Sequence, residues 1–255
     1  MLFSLKEILS YPLRSTEGSF GRVKTFIVDT SEWQVRYLVA EVGSRDVLLS
    51  VQVCGAPDME AQVLPVQVDK DRIINSPEID LNVPLSRSIE RQLYDYYEWP
   101  YYWEPSDVPN TLPGDLTSIP LIEMELDREQ REMIPETGAD NPENPHGGYP
   151  LHRADDLFGY TIHATNDGQN AGKLTDLITQ DQDWSLLYLV VDTGNLFPGK
   201  IVLLAPSWVQ KIDMADSRID VDLAAQTIQD SPEIRSTLDL TPEFQTRLKD
   251  YFKRK

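Results

Sequence analysis

The chain contains nearly the same pattern twice, and no other feature constrains its fold as much. Trp33-Gln34-Val35-Arg36-Tyr37-Leu38-Val39 is matched 151 positions later by Trp184-Ser185-Leu186-Leu187-Tyr188-Leu189-Val190. Ser76-Pro77-Glu78-Ile79 recurs verbatim 155 positions later as Ser231-Pro232-Glu233-Ile234, and Leu93-Tyr94-Asp95-Tyr96-Tyr97 returns at that spacing as Leu248-Lys249-Asp250-Tyr251-Phe252. Ile8 aligns with Leu157 and Gly21 with Gly172, so the offset drifts only through small insertions. Two copies rather than an array predict a duplicated domain. The first copy is assigned to residues 1–103 and the second to 151–255, with 104–150 as a linker. The 255 residues accommodate two domains of about 100 residues each.

Each copy reads the same way along the chain. A short amphipathic piece (Leu5, Ile8, Leu9; Ala154, Leu157, Phe158) precedes a glycine-punctuated turn, Glu17–Gly21 or Asp167–Gly172, where glycine permits a tight hairpin. Alternating strands follow around Val23, Thr25, Ile27 and Val35, Tyr37, Val39, answered by Leu174, Asp176, Ile178 and Leu186, Tyr188, Val190. Further strands are predicted at 47–53 and 201–205 and at 63–68 and 219–223. Short strands separated by turns predict a mainly β fold, a small antiparallel barrel or sandwich in each copy. Ser76-Pro77 and Ser231-Pro232 mark the exit from it, because the residue before proline is biased to extended backbone. A helix closes each copy. Ser86 is placed as the cap of the first, with Ile89 and Leu93 on one face; Thr241 caps the second, with Pro242 at the first helical position and Phe244, Leu248 and Tyr251 in one stripe. The linker holds eight prolines, which leave room only for a brief helix at 121–133.

The net charge of −19 is unevenly spread. Each copy carries −5, whereas residues 104–150 hold 11 acidic and 2 basic side chains. Such a surface repels phosphate backbones and anionic lipid, so neither nucleic acid nor membrane is an expected partner. No run approaches the roughly 20 apolar residues that span a bilayer, and the single cysteine, Cys54, excludes an intramolecular disulfide. A cytoplasmic location is the expectation.

The run Val190-Val191-Asp192-Thr193-Gly194-Asn195-Leu196-Phe197-Pro198-Gly199-Lys200-Ile201-Val202-Leu203 resembles the central hairpin of a PRC-barrel domain. The later run Ile228-Gln229-Asp230-Ser231-Pro232-Glu233-Ile234 does so too. In the first copy, Ile74-Asn75-Ser76-Pro77-Glu78-Ile79-Asp80 leads to Tyr96-Tyr97-Glu98-Trp99-Pro100-Tyr101-Tyr102-Trp103, similar to the YYxWPxYW tail of bacterial PRC-barrel proteins. The resemblance covers both copies and leaves the linker aside. It implies a fold similar to the cytoplasmic domain of the photosynthetic reaction-centre H subunit and to the C-terminal domain of the ribosome maturation factor RimM. Both are contexts of protein binding and assembly, not catalysis.

Chemistry-bearing residues are sparse. His146, His152 and His163 show no helical metal-pair spacing, and Cys54 has no histidine near it in sequence. The pairs Asp69/Asp71 and Asp220/Asp222 share strand faces, and Asp181/Asp183 flank a turn without an EF-hand loop around them. No phosphate-cradling or nucleophile-elbow motif occurs. The chain is therefore expected to be no enzyme and to need no cofactor. Tyr94, Tyr96, Tyr97, Trp99, Tyr101, Tyr102 and Trp103 stand apart, seven rings within ten residues, a composition suited either to self-packing or to an interface. Tyr96, Tyr97, Trp99, Tyr101, Tyr102 and Trp103 are the interface candidates. The resulting expectation is a protein-interaction or assembly module, an intramolecular pseudo-dimer open to further self-association. The alternatives are a small-ligand or metal sensor at the repeat interface, and an accessory factor of a photosynthetic electron-transfer complex or of ribosome maturation.

Overall fold

The computed structural model describes residues 1–80, 85–103, 151–194 and 199–253. The linker with its expected 121–133 helix, His146, and Asn195–Pro198 of the hairpin run lie outside the described residues. In chain order the first copy forms β1 (Leu2–Ser4), β2 (Pro12–Ser15), β3 (Gly18–Asp29), β4 (Gln34–Val42), β5 (Arg45–Ser50), β6 (Leu64–Pro65), α1 (Lys70–Ile74) and α2 (Arg87–Tyr97). The second forms β7 (Leu151–Arg153), α3 (Ala154–Leu157), β8 (Thr161–Ala164), β9 (Gln169–Gln180), β10 (Leu186–Asp192), β11 (Ile201–Leu204), β12 (Val209–Asp213), β13 (Arg218–Val221), α4 (Ala225–Gln229) and α5 (Pro242–Lys253). Met1–Pro84 and Pro150–Lys255 make one compact unit, so the strands of both copies fold together; α2 and its extension belong to a second unit that begins at Leu85.

The fold is mainly β, in two sheets of matching order: β5-β4-β3-β2-β6 and β11-β10-β9-β8-β13-β12. They are mixed, which corrects the antiparallel expectation. In each copy the first and last strands lie side by side and run the same way, Leu13 beside Leu64 and Ile162 beside Ile219. A hairpin cannot join parallel neighbours, so the chain crosses over between them through the segments that hold Val51–Val53 and Pro206–Trp208 as 3-10 turns.

The repeats also exchange their leading strands. β1 pairs with β9 of the second copy (Leu2↔Gln180, Phe3↔Thr179, Ser4↔Ile178), and β7 pairs with β3 of the first (Leu151↔Asp29, His152↔Val28, Arg153↔Ile27). Each pairing maps onto the other when the copies are interchanged. Between them Gln34 bridges Ser185, with Val35 N–H donating to Trp184 O at 3.0 Å and Leu186 N–H to Trp33 O at 2.7 Å. The two tryptophans therefore occupy equivalent places, but at the turns before β4 and β10, not on those strands as expected. Both take positive φ, 52° and 60°, uncommon for a bulky residue and held here by the reciprocal amide bonds. Tyr37 and Tyr188 are on the equivalent strands, opposite Ile27 and Ile178.

Gly21 and Gly172 are matched for one physical reason. Each lies where its long strand passes close over the neighbouring backbone: a Cβ on Gly21 would stand 2.7 Å from Glu41 O, and one on Gly172 (φ +145°) 2.3 Å from Asp192 O.

Each last strand is followed by a one-turn helix, α1 or α4, that the strand pattern did not reveal. The Ser-Pro pairs come directly after these helices and outside them, so the exit is where the sequence places it, with a helical turn interposed. A cation caps both turns. Arg45 donates to Ile74 O (3.0 Å) and Ser76 O (2.6 Å), and Lys200 at the matched position donates to Gln229 O (2.8 Å), where the helix dipole favours positive charge. Ser86 caps α2 by accepting from Ile89 N–H, and Thr241 caps α5 by accepting from Phe244 N–H at 3.2 Å. The buried stripe of α5 is Phe244, Leu248 and Phe252; Tyr251 turns aside to donate to Thr227 O.

Candidate functional site

The carboxylates singled out from sequence serve local structure. Asp183 accepts from Ser185 N–H (3.0 Å) and Gln180 (2.9 Å), bonds that hold its carboxyl below the usual range, and Asp181 pairs with the N-terminal amine. Asp220 stands between His163 Nδ1 (3.0 Å) and Arg218 Nε (2.9 Å), while Asp69 and Asp71 begin α1. Cys54 bridges to Val66 at the sheet edge, and desolvation pushes its thiol up to about 12, leaving it unreactive at neutral pH. Among the described residues no three His, Cys, Asp or Glu side chains are grouped to hold a metal, and no helix is long and apolar enough to cross a membrane.

The seam between the exchanged strands holds the buried polar groups that the sequence reading passed over. On one side Asp176 of β9 accepts from Ser4 Oγ and from the amides of Leu177 (2.7 Å) and Lys6 (3.2 Å); burial nevertheless lifts its carboxyl above the ordinary value. At the matched position of the other side Thr25 of β3 donates to Asp155 at 2.7 Å, and Arg153 also binds Asp155. The aromatic filling differs as well. Phe3 stands edge-on to Trp184 at 5.3 Å, with Phe26 5.9 Å from that indole. The counterparts of Phe3 and Phe26 are His152 and Leu177, around a Trp33 that is only half-buried. Each half of the seam thus repeats the backbone of the other with a different interior.

Burial lowers the pKa of His152 despite the nearby charges of Asp156 and Asp29. A base depressed in the fold binds its proton more readily when unfolded, so its contribution is complete above the ordinary value of about 6.5 and drains as pH falls toward the depressed one. Urea midpoints measured from pH 7.5 to 5.5 should fall less for His152→Phe than for the unsubstituted chain. Parallel curves would show that His152 does not titrate on unfolding.

The aromatic run forms a compact structure on α2. The helix ends at Glu98 in the left-handed region (φ 57°), Trp99 N–H donates to Tyr94 O at 3.0 Å, and the chain doubles back. Trp99 stacks flat on Tyr97 at 4.2 Å, and Trp103 packs on Tyr94 at 5.0 Å and Tyr102 at 4.9 Å. The Arg87 guanidinium sits 4.2 Å over Trp103 and donates at 2.9 Å to Glu90, a fully buried carboxylate that also accepts from the Tyr102 hydroxyl at 2.9 Å. Burial, then the Glu90 charge, raises the Tyr102 hydroxyl and keeps it a donor. Tyr101 donates to Asp95. Of the six interface candidates Tyr97 is buried, while Tyr96, Trp99, Tyr101, Tyr102 and Trp103 keep part of their rings exposed. Sequence composition found this cluster but not Arg87 and Glu90, the ion pair that orders it; Glu three residues after Arg on a capped helix was the available signal. No protein-family model matches the chain, and neither does any curated protein.

Proposed function

We propose that this protein is a non-catalytic interaction or assembly module, two PRC-type barrels joined as an intramolecular pseudo-dimer, with the aromatic extension after α2 as its contact surface. The observation that carries this reading is the extension itself: partly exposed tyrosine and tryptophan rings held by stacking and by an Arg-Glu-Tyr network around the buried Glu90. Aromatic anchors that are already ordered lose little conformational freedom on binding, which favours them at interfaces. The reciprocal strand exchange supports the pseudo-dimer, because it repeats the self-complementary pairing of a twofold homodimer within one chain. The engagement of Asp183 in a turn and of Asp181 and Asp220 in ion pairs favours a structural over a catalytic account of them. The barrels and their kinship rest on the PRC-like hairpin and tail motifs.

Trp99→Ala/Trp103→Ala in the full chain tests the reading. Burial of such rings contributes roughly 1.5–3 kcal/mol each. Light scattering should show reduced self-association and denaturant titration a lowered midpoint. An unchanged mass with an unchanged midpoint removes the extension from the interface.

A further inference from the structure

The two copies differ at the end of the sheet where β9 meets the first copy's leading segment. In the first copy the matched place carries exposed ion pairs across the strands: Arg22 binds Glu41 at 2.7 Å and Lys24 binds Asp46 at 2.5 Å. In the second copy Thr175 stands where Lys24 does and Ile201 where Asp46 does. Lys173 faces Asp192 across the ladder as Arg22 faces Glu41, yet the Asp192 carboxylate turns to accept from Gly194 N–H at 2.9 Å. A cavity of about 620 Å³ opens there, within the range that accommodates small ligands.

Its wall is built from both copies. Lys6 enters from the segment after β1, with its ammonium 4.4 Å over the ring of Phe158. Lys173, Asn170 and Thr161 come from the second sheet. Asp176 lies behind Lys6, whose charge acts on it, while its oxygens take the Ser4 hydroxyl and the amides of Lys6 and Leu177. Among the described residues neither Lys6 nor Lys173 is ion-paired. The lining itself holds two lysines and one carboxylate, Asp192, with Asp176 behind Lys6, in a chain in which acids outnumber bases 42 to 23. At the matched place on the first sheet, the counterpart of Lys6 is Asp155 of the second copy, already bound by Thr25 and Arg153.

We infer that this cavity binds a small organic anion, a phosphate or carboxylate carried on an apolar body. Lys6, Lys173 and Asn170 supply the donors for the anionic head, and the apolar body packs against Phe158. The duplication leaves one such place spanned by its own salt bridges and the other free for a ligand. This reading is independent of the aromatic extension.

Isothermal titration of the full chain with phenyl phosphate, benzoate, inorganic phosphate and phenol tests it. Saturable binding of phenyl phosphate, benzoate or both is expected, the preference identifying the head group, with phenol failing to compete. Lys6→Gln/Lys173→Gln should weaken binding at least 10-fold, Lys6→Arg/Lys173→Arg should retain most of it, and Lys24→Gln, in the first copy, should leave it unchanged. Affinity should also fall as salt is raised from 50 to 300 mM, which requires no variant to fold. Failure of both aryl anions to saturate, equal binding by the glutamine variant, or affinity independent of salt overturns the inference.

Discussion

Phe3→Ala is expected to lower the stability of the whole chain by about 3–5 kcal/mol, the range for truncating a buried phenylalanine. Phe3 is 1% exposed and sits on a strand of three residues that pairs with the other repeat. Its ring lies edge-on to Trp184, so the substitution removes both area burial and a favourable aromatic geometry. The loss should appear equally in probes of either repeat, because the ring belongs to the first copy by sequence and to the second by packing. The matched His152→Ala should have a clearly smaller effect, since Trp33, the counterpart of Trp184, is already half-exposed. Urea unfolding followed by tryptophan fluorescence, where Trp184 reports directly on the Phe3 site, measures both. Equal losses at the two positions would mean that the two halves of the seam are energetically alike despite their different interiors.

Gly172→Ala should be comparably severe, for a backbone reason. The residue has φ +145°, a conformation that side chains rarely adopt, and the new Cβ would stand 2.3 Å from Asp192 O. Strained backbone costs on the order of 1–3 kcal/mol and overpacking a similar amount, so a loss of about 3 kcal/mol or more is expected. Gly21→Ala places its Cβ 2.7 Å from Glu41 O at an ordinary φ and should do less damage. Thermal denaturation of the two variants side by side checks the ranking; a milder Gly172→Ala would show that β9 can slide away from β10. Relief of this clash would also displace Asp192 and Lys173, so anion binding in the second copy should weaken together with stability.

Much of this architecture is written in the sequence because duplication writes it twice. The repeated Trp33 and Trp184 segments mark the central hairpins, the paired Gly21 and Gly172 mark the close strand approach, and the hydroxyl caps Ser86 and Thr241 mark the closing helices. These signals are local and survive divergence. The exchange was not legible. β1 and β7 have three residues each, too few to show a strand period, and their partners lie more than 120 positions away. The parallel edges were hidden for a related reason, since Leu64–Pro65 and Arg218–Val221 take their direction from crossovers that hydrophobic alternation does not encode. At the sites, the aromatic run announced itself by composition. The anion pocket did not, because Lys6 and Lys173 are about 170 positions apart and nothing local marks the cavity that they line together.

The crossing of β1 and β7 separates the covalent boundary of the repeats from their mechanical one. Cutting the backbone anywhere between residues 104 and 150 would sever the chain but none of the ladder bonds through which Leu2–Ser4 and Leu151–Arg153 clasp the opposite sheets. The two fragments would remain interlocked, and neither repeat could melt without stripping a strand from the other. Calorimetry of the nicked and intact protein should therefore show one transition in each case. In the intact chain the exchange itself adds no dependence on concentration to that midpoint, giving the cooperativity of an obligate dimer without its dependence on encounter.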